Sequence, residues 1–455
     1  MDKQVIPPKP RHREADVWFW KHLQMFKSDI FMAQPPKLYR AWMAAMRLPR
    51  FWSFFVNDPN VLRTVRKERP DDFPKSEIIS ATLASLLGTG VFVSNGALWK
   101  HQRRIIDPAF AGGKLRHNFQ SMLDAAGDAV TRLKTKTGPI EIEEEASQIA
   151  ADIIFRTLFS IPITNQVASD TFHSFRAYQR SQPLVNVGSL LAIKRLVPIF
   201  QRKKTKLAAR EIRKHLSKLT QDRTDALSRG DAPDDLATKI MTNVDPETGT
   251  SFTQNEMVDQ VAIFFLAGHE TSASALAWAL YLLALDPETQ NRARSEADNA
   301  ATGDTLSFKD LSRLEFTRDI FRETLRLYPP VPMMVRETTK PETFRNRKIR
   351  VGSQIVVSPW HLHRHERLWE NADVFDPDRW KTKATKTCAR DAYMPFSTGA
   401  RACPGAGFAM IEGVILIYTI LRAFKIELAD GPTPLPVAHL TVRSKDGIFL
   451  NLIPR

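Results

Sequence analysis

The chain has 455 residues, of which 43% are hydrophobic and 25% charged, a balance that suits a globular protein and excludes a disordered one. It holds only two cysteines, Cys388 and Cys403, so a secreted disulfide framework is excluded and a reducing compartment is expected. The net charge of +15 favours acidic partners, but no zinc-finger spacing or aromatic–glycine RNA motif accompanies it, which argues against specific nucleic-acid binding.

The polar, proline-rich start of the chain has no apolar core segment, so neither a signal peptide nor an N-terminal membrane anchor is expected. Phe54–Val56 reads as a first short strand. Trp99-Lys-His-Gln-Arg103 sets an indole N–H and a guanidinium one helical turn apart, where both can address one anion; His101 reads as exposed. Helical periodicity marks Leu115–Leu133, Glu144–Phe159, Ala208–Ser228, Asn255–Leu285 and Glu288–Ala301. The basic run Lys194–Lys214 reads as a solvated helix face, with a docking face for an acidic electron donor as the second reading.

Val261–Leu285 is apolar and long enough to span a bilayer. Gly268-His269-Glu270-Thr271-Ser272 lies inside it, and a charged centre makes spanning costly, so a buried core helix is expected. An acid beside a hydroxyl in a greasy helix is expensive without partners or a purpose. Thr271 can bond to a carbonyl one turn back and loosen the helix, and the small Ala267 and Gly268 allow a flat group to approach. His269 reads as a packing residue. Taken alone, the segment is equally a helix kink with a satisfied polar pair.

Glu323 and Arg326 share one face of the helix Arg318–Leu327, which Tyr328–Pro332 closes. Lys348–Val351, Gln354–Ser358 and Ile448–Leu452 read as strands. Cys388, in the polar stretch Lys381–Arg390, reads as a free surface thiol. Last comes Phe396-Ser-Thr-Gly-Ala-Arg-Ala-Cys403-Pro-Gly405, in which a glycine turn and a helix start behind it would stabilise a thiolate. By itself, such a cysteine is usually a buried structural thiol in a loop, and for a bare Gly-x-Arg-x-Cys that reading would win.

Five positions together, Phe396, Gly399, Arg401, Cys403 and Gly405, resemble the haem-binding signature of the cytochrome P450 family. The order of elements resembles that family from about Phe51 onward. The resemblance implies a mainly α fold with small β-sheets, a triangular prism of helices around a buried haem. It implies one domain over 1–455, with a β-rich edge at about 51–70 and 330–380 and a helical body at 99–328 and 403–425. Cys403 would be the axial ligand of the iron of haem b, with Phe396 and Gly268 beside the cofactor and Arg401, Trp99, Arg103 and Arg336 on its propionates. Glu270 and Thr271 would handle dioxygen and its protons. Glu323, Arg326 and Arg379, the last in Phe375-Asp-Pro-Asp-Arg379-Trp380, would form a structural triad supporting the cysteine loop.

Substrate contacts are expected from Ile78–Val93, Phe264, Ala267, Ser181–Ile193 and Val331–Val335, including Val331 and Met333, and their apolar character implies a lipophilic substrate. The implied activity is a monooxygenase that hydroxylates or epoxidises a fatty acid, terpenoid or similar compound. A peroxide-dependent peroxygenase or a non-catalytic haem sensor are the alternatives. The chain carries no flavin or nicotinamide fingerprint, and two cysteines cannot hold an iron–sulfur cluster. Electrons ultimately from NAD(P)H would therefore arrive through an acidic ferredoxin or flavodoxin and its reductase. A cytoplasmic, soluble monomer is expected.

Overall fold

The computed structural model describes residues 4–12, 21, 24–25, 29–47, 51–181, 202–303 and 305–455. Its longer helices are α1 (Glu77–Leu87), α2 (Gly96–Phe110), α3 (Phe119–Lys134), α4 (Ile142–Phe159), α5 (Gln166–Ser181), α6 (Lys203–Arg229), α7 (Leu236–Thr242), α8 (Gln254–Leu285), α9 (Pro287–Ala300), α10 (Glu315–Leu327), α11 (Lys383–Ala392) and α12 (Ala406–Ala423). The strands are short: β1 (Met43–Arg47), β2 (Trp52–Val56), β3 (Ile140–Glu141), β4 (Met334–Glu337), β5 (Glu342–Phe344), β6 (Arg347–Ile349), β7 (Gln354–Val357), β8 (Phe424–Leu428), β9 (Pro436–Ala438), β10 (Val442–Ser444) and β11 (Phe449–Pro454). A mostly helical body with small sheets is the fold expected.

The body is organised around α8. Its 32 residues make a rod about 48 Å long. A capping box starts it: Glu256 N–H donates to Thr253 Oγ1, and Thr253 N–H donates to Glu256 Oε2. Its apolar residues are buried on every side, as befits a helix that runs through a core rather than over one. It packs against α4 and α6 on one side and α10 and α12 on the other. Helix α12, the one among the described residues long and apolar enough to cross a membrane, lies against α3, α8, α9 and α10.

The main sheet has the order β1-β2-β7-β4, with β2 and β7 parallel and the other pairs antiparallel. Its register sets Val335 opposite Val356 and Arg336 opposite Ile355, which brings β4 to the edge of the central cavity. The three-stranded sheet β3-β11-β8 packs on α8 through β8, and the β9–β10 hairpin reaches the cavity with His439, Thr441 and Arg443.

Several expectations change. The helix expected over Leu115–Leu133 opens as a 3-10 segment, Gly112–Asn118, before α3 begins. Strand β1, absent from the sequence reading, is Met-Ala-Ala-Met-Arg, a helix-like composition that becomes a strand because β2 offers it a partner along its whole length. The polar stretch around Cys388 is helix α11, capped by Thr382. Cys388 is not a surface thiol; it is half-buried against the core cluster around Trp369 and Trp380, and burial pushes its thiol up to about 11. Within the basic run, residues 194–201 lie outside the described residues, while Lys203, Lys204, Arg210 and Lys214 are exposed on α6.

Candidate active site

A cavity of about 1130 Å³ lies between α1, α2, α8, β4 and the segment preceding α12. Cys403 lines it, and its side chain is exposed to that space. The loop is held by backbone geometry. Ser397 and Gly399 adopt positive φ values of 60° and 74°, and a Cβ on Gly399 would sit 2.1 Å from the Arg66 carbonyl oxygen, so only glycine fits there. Cys403 N–H donates to the Phe396 carbonyl at 2.9 Å, and Arg103 Nη1 donates to the Ala402 carbonyl at 2.8 Å. Helix α12 starts three residues after the sulfur. The sequence suggested a preformed thiolate. Instead, burial raises the Cys403 thiol, while the Gly405 N–H and Arg103 pull it down. A positive centre at the sulfur would complete that stabilisation, as a ligated metal does.

Beside the loop stands a set of cations around one indole. Arg401, Lys75 and Arg103 lie 4.4, 5.8 and 6.0 Å from the Trp99 ring. Arg336 is buried alongside, lowered to about 9 by burial and by Arg401 and Arg66. Lys75 is lowered to about 6 by burial and by Arg401, Arg336 and Arg103. Among the described residues no carboxylate forms a salt bridge with Lys75, Arg336 or Arg401, and Arg401 Nε is buried without a partner. Arg401 and Arg336, without a carboxylate partner, stand in the cavity wall beside Lys75 and beside Arg103, which pairs with Asp107 at 2.8 Å, and such a cluster fits a dianionic ligand. Haem, with two propionates on a flat apolar ring, matches both this cluster and the facing cysteine. Lys75 escaped the sequence reading because it is a lone lysine between short elements, brought to Trp99 only by the fold, where its backbone bridges to Arg336.

On the opposite wall, α8 runs unbroken through 267–272. Ala267 is exposed to the cavity, and Thr271 Oγ1 donates to its carbonyl at 2.6 Å. The bond expected from Thr271 is present; a break in the helix is not. Gly268 lines the cavity. A Cβ there would meet Ile154 Cδ1 at 2.3 Å, so its smallness serves the close approach of α4 to α8. Glu270 is buried, with Oε1 accepting from Thr441 Oγ1 at 2.9 Å and facing Arg443 Nη2 at 3.4 Å, while Oε2 has no partner. His269 packs as expected, 2.7 Å from Ser147 Oγ and fully buried. Ser272 Oγ donates to Glu412 of α12, whose carboxyl is pushed up to about 8 by burial.

Comparison with known proteins agrees with this geometry. The family model for cytochrome P450 matches residues 18–451. The chain belongs to the cytochrome P450 family. Relatives include cytochrome P450 4A10 of Mus musculus, 31% identical over 99% of this chain and 90% of that protein. Cyclooctatin synthase of Streptomyces melanosporofaciens is 31% identical over 78% of this chain and 77% of its own. The crystal structure of the cytochrome P450DA heme domain superposes with a TM-score of 0.81 at 23% identity, covering 99% of this chain and 98% of that one, a likeness of fold. The protein is thus a P450 monooxygenase with the P450 fold.

In this P450 the pair Glu323 and Arg326, which on an exposed helix would contribute little, is fully buried. Glu323 Oε1 accepts from Arg326 Nη2, Arg379 Nε and the Asp376 N–H at 2.8 to 3.1 Å. Arg326 Nη1 donates to the His363 carbonyl, and His363 Nε2 accepts the Met394 N–H, where the cysteine loop begins. The triad is therefore two hydrogen-bonded steps from the P450's cysteine loop. Phe264, Ala267, Val331 and Met333 all line the cavity, as do Ile78 to Val93 in part; the expected contacts at 182–193 lie outside the described residues. His101 is not a free surface histidine but binds the buried Asp245 at 2.7 Å.

Proposed function

We propose that this P450 hydroxylates or epoxidises a lipophilic compound of fatty-acid or terpenoid type, as one domain using electrons relayed by an acidic ferredoxin or flavodoxin. The observation that carries this is a single cavity that joins Cys403, the Trp99 cation cluster and the Glu270–Thr271 wall to an apolar lining of Ile78, Leu83, Val91, Ile263, Phe264 and Leu266. Bound haem would supply the oxygen-activating chemistry; Cys403 would hold its iron, and Arg401, Arg336, Arg103, Lys75 and Trp99 would hold its propionates. The residues of the chain do the rest. The apolar walls exclude water and set which carbon faces the reaction centre. Thr271 presents its hydroxyl oxygen to the cavity, and Glu270, beside it, supplies protons so that the second oxygen atom leaves as water.

The net charge of +15 and the exposed Arg63 and Lys67, next to the segment that touches the cysteine loop, suit an acidic donor. Two free cysteines suit a reducing, cytoplasmic setting. Turnover under heavy-isotope dioxygen with a ferredoxin or flavodoxin system and a panel of fatty acids and terpenes tests the reading. One labelled oxygen atom in the product is expected; oxygen drawn from water, or no product across the panel, would contradict it.

A further inference from the structure

The cavity lining is not uniform. Around Ile78, Leu83, Val91, Ile263, Phe264 and Leu266 it is apolar, but between the start of α4, the end of α5 and the β9–β10 hairpin it includes Glu143, Ser147, Gln179, His439, Thr441 and Arg443. Two carboxylates meet this polar part through the same hairpin strand. Glu143 Oε1 accepts the Ser444 N–H at 2.8 Å. The preceding residue, Arg443, lies 3.4 Å from Glu270 Oε1 and 3.4 Å from Gln179 Oε1. The free oxygen of Glu270 is buried and has no protein partner.

We infer that Glu143 is the outer station of a proton path that recharges Glu270 through water in this polar part of the cavity, with strand β10 holding both acids, Glu143 by the Ser444 N–H and Glu270 by the Arg443 side chain. The inference rests on the reading of Glu270 as a proton donor. A proton from bulk water binds the Glu143 carboxylate, passes along cavity water to the Glu270 carboxylate and leaves Glu143 ionised for the next uptake. Glu143 suits this because burial lifts it to about 7, so near neutral pH it readily holds and releases a proton. The groups around it act in both directions: the Ser444 N–H and Arg443 lower it, and Glu141 of β3 raises it. Glu144 is engaged by Arg176 and Arg180 of α5, and Asp446 and His439 line the same region. Glu143 acts through Glu270 and touches no substrate, so it is a positioning and relay residue.

Glu143→Gln keeps the volume and the acceptor for Ser444 N–H but cannot carry a proton. The variant is expected to retain haem content and ligand affinity, to form product about tenfold more slowly with a larger solvent deuterium isotope effect, and to lose the fall in rate above pH 7. Glu143→Asp is expected to recover part of the rate. A wild-type rate, isotope effect and pH profile in Glu143→Gln would overturn the proposal. A second readout needs no turnover: carbon-13 carboxyl titration of the resting protein, assigned by difference against Glu143→Gln. A midpoint near 7 supports the relay, and one in the ordinary carboxylate range overturns it. Absence of product from wild type would count against the proposed function alone, and the carboxyl titration would then decide the fate of Glu143.

Discussion

Glu323→Gln is expected to abolish accumulation of folded, haem-loaded protein. Both Glu323 and Arg326 are fully buried, and Arg379 is nearly so. Removing the one negative charge leaves two guanidinium groups in the core without a counter-ion. Breaking a buried pair in this way costs about 3–5 kcal/mol, against a total stability of about 5–15 kcal/mol for a typical domain. The damage also reaches the site. Arg326 donates to the carbonyls of His363, Ala372 and Val374, and His363 in turn receives Met394 at the start of the cysteine loop. A shift of Arg326 therefore loosens the segment that aims Cys403. The check is soluble yield, haem-to-protein ratio and Tm. A variant that keeps full haem occupancy and a Tm within a few degrees of wild type would show that the network contributes little.

Thr271→Ala is expected to separate electron use from product. The hydroxyl donates to Ala267 within the helix, so its oxygen stays fixed at the cavity wall beside Glu270. Alanine removes that oxygen without filling the cavity or exposing a buried charge, and the fold should persist. Consumption of NAD(P)H should continue while product per NAD(P)H falls about tenfold, the balance leaving as hydrogen peroxide or excess water. Glu270→Gln should instead slow the whole cycle, by about a hundredfold, because the proton source itself is lost. Peroxide-supported turnover that equals the reductase-supported rate and survives Thr271→Ala would favour the peroxygenase alternative.

The parts of the site legible in the sequence are those built from contiguous residues. The loop Phe396–Gly405 and the segment 267–272 carry their chemistry within one or two helical turns, so Cys403, Arg401, Glu270 and Thr271 stand close together in the sequence, and the resemblance to the P450 family assigned their roles. The helical body was legible for a related reason: α4, α6, α8 and α9 bury long periodic faces. Lys75, Thr441 and Arg443 were not legible, because each is a lone residue delivered by tertiary contacts across 24 to 173 positions of chain. Glu412 was missed for the opposite reason, since its apolar surroundings in α12 hide a single acid. Cys388 was misread because a polar local sequence says nothing about which neighbour presses on it; the core cluster around Trp369 and Trp380 supplied the answer.

The central claim is that Cys403 ligates haem iron as a thiolate at the floor of this cavity. It is tested most directly by the absorption spectrum of purified protein, reduced and exposed to carbon monoxide, for wild type and Cys403→Ser. A strongly red-shifted Soret band in wild type that disappears in the variant is the result expected. A band typical of histidine ligation, or a protein that purifies without haem under conditions that supply it, would contradict the account.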